Sequence, residues 1–219
     1  MNTYKFYGVL MVVFGAFFYS TKAILIKLGF LKSTQDGLDF LMLRMLFSFP
    51  FYFIVLIIQT KKKNNFNSKL PNLKEHFIIA STGFLGYYLA SYWDFVGLQY
   101  ITANLERVIL FIYPSVVLIF GALYYNRKIN KTQIISIAIC WLGIAIAYYS
   151  DKVVTSNLNI LKGSIYILAA GIAYGLYLSL SENVIKKFGS IYYTALSMIV
   201  SCFAVFIHYF SEKGFSALF

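Results

Sequence analysis

The apolar residues of this chain fall into seven long blocks, at roughly 6–28, 38–59, 77–99, 102–124, 132–150, 163–183 and 191–210, parted by short polar stretches. Each block is near the ~20 residues a helix needs to cross about 30 Å of hydrocarbon. The blocks are continuously apolar and lack the alternation over about ten residues that marks barrel strands, so helices are predicted. The fold class is all-α, a polytopic transmembrane helix bundle with seven spans. Composition agrees: the chain is 60% hydrophobic and 12% charged, half the charged share of a soluble domain, which is about 25%. The first block is too long for the apolar core of a signal peptide, carries Lys22 and precedes no small-residue cleavage site, so it is read as a retained span.

Where the charges stand changes the reading of the net +11. Such a charge could indicate nucleic acid, but most of it lies in the short loops between spans. Lys5, Lys61, Lys62, Lys63, Lys69, Lys74, Arg127, Lys128, Lys131, Lys186 and Lys187 all fall on one side of the predicted bundle, and only Lys32, Lys152, Lys162 and Lys213 on the other. The positive-inside rule then predicts a cytoplasmic N-terminus. A multi-pass protein in contact with membrane lipid is expected, with no nucleic-acid partner. Cys140 and Cys202 sit in separate spans, and His76 and His208 add no ligand cluster; no disulfide, metal or cofactor is expected.

The polar stretch "SDKVVTSNLNILK" at 150–162 divides the chain into a unit of five spans, 1–150, and a later unit, 151–219, with two. A shift of 155 residues lays Gly8 on Gly163, Ala16 on Gly171 and Tyr19 on Tyr174. Five spans in the first unit make the second start from the opposite side, the arrangement of an inverted-topology repeat. A complete second unit needs five spans, so the expectation is a truncated ten-span (5+5) protein whose inner helices expose apolar and small-residue surface.

Residues 8–150 resemble the first half of an EamA-type member of the drug/metabolite transporter superfamily. The resemblance rests on Gly15, Lys27, Arg44, the stretch "VGLQYITANLERVILFIYP" at 96–114 with its central Pro114, and "QIISIAICWLGIAIAY" at 133–148; residues 163–210 resemble the opening of the second half. It implies ten spans in two inverted halves and a transport function. One departure is "YYNRKIN" at 124–130, where the family often has an acidic residue just after the fourth span, so no role for that acid carries over.

The candidate chemistry is the set of charges inside the spans, which cost free energy there and are usually internal and paired. Asp94 lies six residues before the hairpin turn at Tyr100 and Ile101, and Arg107 six after it. Both therefore stand about 9 Å from the turn, and an ion pair between them is predicted. Gly83, Tyr87, Ala90, Asp94 and Gly97 share one helical face; Ala103, Arg107, Leu110, Pro114 and Gly121 share another. Glu106 points about 100° away, one turn from a helix N-terminus, where its charge is favoured. Lys22 and Arg44 fall in the same external half by depth. Lys22, Arg44 and Arg107 against Asp94 and Glu106 leave one positive charge in excess, a balance suited to a carboxylate-bearing metabolite, and either acid can exchange a coupling proton. Pro114 removes a backbone donor at mid-span and predicts a kink. Tyr19, Tyr88, Tyr92, Trp93 and Tyr113 are candidate cavity walls.

The expected protein is a secondary-active carrier in a bacterial cytoplasmic (inner) membrane, exporting small polar metabolites by alternating access. Alternatives are a structural role for the charge network, a complete seven-helix receptor or channel-like protein, and an intramembrane enzyme; for the last, no nucleophile–base pair, metal spacing or phosphate loop is seen. The topology has a direct test. Single cysteines placed at Lys61 to Lys69 are expected to resist an impermeant thiol reagent applied to intact cells, and those at Asp151 to Asn159 to react. The reverse pattern would overturn the orientation.

Overall fold

A computed structural model of the chain describes residues 3–65, 71–155 and 159–214. Lys69 and residues 156–158, which bear on the loop expectations, lie outside the described residues, as do the side chains of Lys5 and Lys63. The elements are α1 (Thr3–Lys32), α2 (Gly37–Asn65), α3 (Leu73–Gly83), a π-helical turn (Phe84–Leu89), α4 (Ala90–Tyr100), α5 (Ala103–Leu110), α6 (Tyr113–Tyr125), α7 (Lys131–Thr155), α8 (Ile160–Phe188) and α9 (Ser190–Lys213). They form seven rods at the seven predicted places. Among the described residues, six stretches are long and apolar enough to cross a membrane, including Ala103–Tyr125 through its break. The rod from 73 to 100 reaches full length only across its π-helical turn.

Short polar stretches end the rods for identifiable reasons. Before α2, Asp36 Oδ1 accepts from the backbone N–H of Leu38 and Asp39, while Asp39 Oδ2 accepts from Asp36 N. Asn72 and Glu75 form a reciprocal capping box at the start of α3, satisfying donors the helix cannot use itself. Thr102 caps α5 by accepting from Leu105 N and donating to Asp151 Oδ1. Gly189, at φ +82°, takes the left-handed turn between α8 and α9 that a side chain would strain.

The predicted grouping of rod ends holds. Lys187 pairs with Glu75, and Glu182 with Arg127 and Lys186, joining the starts and ends of rods at one pole. At the other, Lys213 reaches Asp36 and Asp39, Lys162 donates to the Tyr100 hydroxyl, and Lys27 donates to the carbonyls of Leu98 and Gln99.

Packing centres on α8 and α9. Leu41, Met45 and Phe95 meet Met198, Cys202 and Val205 between α2, α4 and α9. Ile101, Leu105, Ile109 and Ile112 meet Ile160 and Ile167 on α8, and Ile79, Tyr177, Tyr192 and Tyr193 form a third cluster. By contrast, residues 6–20 of α1 are exposed and most of α7 is too, as suits surface in contact with lipid.

Of the face expected for residues 83–97, Tyr87, Ala90 and Asp94 do border a common cavity, and the π-helical turn corrects its two ends. One residue more per turn shifts the helical phase by about 100°. Gly83 therefore faces Ser197 of α9, while Gly97 faces Ile167 and Gly163 of α8. The loosened backbone is held by side chains from α9: Ser201 Oγ donates to Gly83 O at 2.9 Å, and Tyr193 donates to Thr82 Oγ1 at 2.8 Å. Such hydroxyl contacts stand in for water, which lipid lacks.

At the α4–α8 crossing a Cβ on Gly97 would lie 2.6 Å from Ile167 Cδ1 and 2.9 Å from the Gly163 carbonyl, and a Cβ on Gly163 would lie 2.9 Å from Gly97 O. The two backbones touch because neither residue has a side chain. Gly163→Leu is expected to lower stability by roughly 1–3 kcal/mol or more, the range for overpacking, whereas Gly143→Leu, at a glycine facing open space, should be near neutral. Thermal denaturation in detergent checks the contrast.

Candidate functional site

Three helices bring the predicted charges together. Lys22 on α1 donates to Asp94 Oδ2 on α4, and its Nζ lies 4.0 Å from Glu106 Oε1 on α5. Arg107 Nε lies 3.2 Å from Glu106 Oε2. Arg107 Nη2 donates to the Tyr19 carbonyl at 2.8 Å, and the guanidinium stands 4.6 Å from the Tyr19 ring centre. Asp94 is 5% and Glu106 0% exposed. One ammonium thus bridges two buried carboxylates from different helices, and a second cation closes the group on its other side.

This corrects the predicted Asp94–Arg107 pair. The two residues are level and both border the cavity described below, but Asp94 makes its ion pair with Lys22, and Arg107 makes its own with the neighbouring Glu106. It also corrects the face assigned to α5. The buried side is Leu105, Ile109 and Ile112, packed toward α8, together with Glu106, turned toward Lys22, while Arg107 is half-buried and Pro114 exposed. Glu106 stands in the first turn of α5, as expected, behind its Thr102 cap.

The helical hydrogen bonding is interrupted just before the proline. The helix breaks at Phe111 and Ile112, whose N–H groups bond back only three residues, to Val108 and Ile109, and α6 resumes with Pro114 in its first turn. Without an N–H at Pro114 the Leu110 carbonyl loses its usual donor. Close packing accompanies the break: a Cβ on Gly171 of α8 would meet Ile112 Cγ2 at 2.5 Å and Leu110 O at 3.6 Å. Cys140 Sγ approaches the Phe111 carbonyl at 3.6 Å.

A cavity of about 590 Å³ opens beside these groups. Lys22, Arg44, Asp94, Arg107, Tyr19 and Tyr113 line it, as the sequence suggests; Glu106 lies behind the wall, touching the cavity's cations. Tyr88, Tyr92 and Trp93 do not line it. Tyr88 and Tyr92 instead face α9, where the Tyr88 hydroxyl is 3.0 Å from His208 Nδ1 and the Tyr92 ring is 4.9 Å from the imidazole. Tyr87, adjacent to Tyr88 but on the face it shares with Asp94, does border the cavity. Sequence reasoning missed Tyr87, Ser91 and Tyr174. Tyr174 was within reach, since the 155-residue shift pairs it with Tyr19, which lines the same cavity. Tyr113 and Tyr174 meet edge to face at 5.4 Å, and the Tyr177 hydroxyl donates to Tyr87 at 2.9 Å.

A multi-pass helical bundle with an ionic cluster beside a half-open cavity defines a class of membrane protein built around a polar site within its spans. The chain belongs to the EamA-like transporter family, whose profile matches residues 6–149. It is 23% identical over 205 residues to a protein of Bacillus subtilis (strain 168) described as "Uncharacterized transporter YcbK", an alignment covering 92% of this chain and 62% of that protein. The chain thus spans less than two thirds of that relative's length. No solved structure matches it.

The cluster's internal balance is open to test. Lys22→Met would leave two buried carboxylates near each other without their shared cation. A loss of roughly 3–5 kcal/mol is expected, the usual result of breaking a buried pair from one side. Adding Asp94→Asn to that variant should recover part of it. Unfolding midpoints of the single and double variants measure both effects, and equal midpoints for the two would overturn the pairing.

Proposed function

We propose that this chain forms the substrate-binding part of a secondary-active carrier that moves a small polar metabolite bearing a carboxylate outward across a bacterial cytoplasmic membrane by alternating access. The observation that carries the reading is the cavity itself: a space of about 590 Å³ within the spans, walled by three cations, one acid and several tyrosines. Ionisable groups at such depth are costly and mark substrate or ion routes by default. The break at Phe111–Ile112 loosens the helix beside that space, and interrupted helices border the sites of many carriers. The family and the Bacillus relative's printed description favour transport over catalysis. In this reading Asp94 or Glu106 carries the coupling proton, Lys22 holds the acids in register, and residues 151–219 begin a second, inverted unit.

Reconstitution into proteoliposomes with a panel of labelled carboxylates tests it. Asp94→Asn is expected to abolish uptake or counterflow at unchanged folded amount, and to flatten the response to an imposed pH difference. Arg107→Lys should cut the rate by about tenfold or more, because an ammonium keeps the charge but loses the planar fork that holds Glu106 and the Tyr19 carbonyl together. Transport at the wild-type rate by both variants would sink the assignment of these residues.

A further inference from the structure

Net charge alone leaves one positive unit over in this cavity, and the geometry identifies which residue carries it. Lys22 is engaged by Asp94 and Glu106, and Arg107 by Glu106 and the Tyr19 carbonyl. Arg44 differs. Among the described residues no carboxylate lies within ion-pair distance of it; its Nη1 donates to Ser91 Oγ at 3.3 Å, and the guanidinium carbon stands 5.7 Å from the Phe95 ring centre. It is half-buried on α2 and borders the same cavity as Ser91.

A guanidinium presents five N–H donors in a rigid fork, and one long bond to a hydroxyl uses a single donor. Taking such a cation partly out of water without an anion is unfavourable, whereas a carboxylate meets the fork through two parallel bonds. Phe95 behind the plane and Ser91 at its edge limit how the fork can turn. Tyr113, Tyr174, Leu110 and Ala170 line the same cavity, surfaces suited to a largely apolar body.

We propose that Arg44 is the anion anchor of the cavity: it binds the carboxylate of a singly charged organic acid bidentately, Ser91 orients the guanidinium, and the tyrosine wall receives the remainder of the molecule. Lys22 and Arg107, already neutralised, hold the site's shape and do not compete for that carboxylate. The inference rests on the carrier reading above and sharpens it to monocarboxylates with an apolar body.

The test uses the detergent-solubilised whole chain and matched probes: lactate, benzoate and 3-phenyllactate, each beside its neutral primary amide, with affinity measured by calorimetry and counterflow by proteoliposomes. Wild type is expected to bind 3-phenyllactate at least tenfold more tightly than its amide, and more tightly than lactate. Arg44→Gln should bring the acid-to-amide ratio close to one, Arg44→Lys should leave an intermediate ratio, and Ser91→Ala should lower it severalfold. An unchanged ratio in folded Arg44→Gln overturns the anchor. A second measurement needs no variant: phenylglyoxal should modify Arg44 in the wild-type protein, read by mass spectrometry, and 3-phenyllactate but not its amide should protect it. Equal protection by both, or by neither, overturns the proposal. Transport of panel members without preference for acid over amide removes the anchor and leaves the carrier reading standing, whereas neither binding nor transport of any probe removes both.

Discussion

The position of α1 depends on Lys22. In lipid, an apolar helix gains nothing by exchanging acyl chains for apolar protein surface, so packing and polar contacts decide where it rests. Residues 6–20 of α1 are exposed and offer little packing. What attaches the helix is polar and lies in its second half: Lys22 to Asp94 and Glu106, the Tyr19 carbonyl to Arg107, and Lys27 to the carbonyls that end α4. Ala23, 1% exposed, is small enough to let the backbone come close. The same ammonium that neutralises the two acids therefore fixes one wall of the cavity. Removing it affects charge and architecture together.

The opposite wall depends on backbone contact. Gly97 and Gly163 bring α4 against α8, and Gly171 and Gly175 bring α8 against the broken α5–α6 rod, where a Cβ on Gly175 would lie 2.7 Å from Val116 Cβ. Glycine serves here by absence: each missing side chain permits a helix approach that a methyl group would prevent. The α5–α6 rod is interrupted at Phe111 and Ile112, and the rod formed by α3 and α4 at its π-helical turn. Space opens where two rods are each interrupted, and the charges stand at the margin of that space.

Much of this was legible from the sequence, and for reasons that can be named. Hydrocarbon thickness fixes the length of a span, so seven apolar blocks became seven rods. The fixed rise of a helix makes depth a matter of counting, which placed Asp94, Arg107, Lys22 and Arg44 around one cavity. The cation-rich loops assemble at one pole because successive rods run antiparallel. Pro114 announced a break because its missing N–H is a local chemical fact. None of these inferences needed knowledge of how one helix is rotated against another.

Rotation is where pattern reasoning failed. A single phase carried from Gly83 to Gly97 assumes an unbroken α-helix, and the extra residue of the π-helical turn sends Gly83 to α9 and Gly97 to α8. Tyr88 and Tyr92, which stand off that face, meet His208 of α9 instead of the cavity. On the next rod the break before Pro114 dissolved the proposed line from Arg107 to the proline, so that Glu106, expected to the side, became the most buried charge. The choice of partners followed. Two residues at equal depth on adjacent helices pair only if nothing closer competes, and a third helix supplied Lys22, whose long flexible stem reaches both acids. Depth can be counted along one chain segment, but an ion pair belongs to every helix that can reach it.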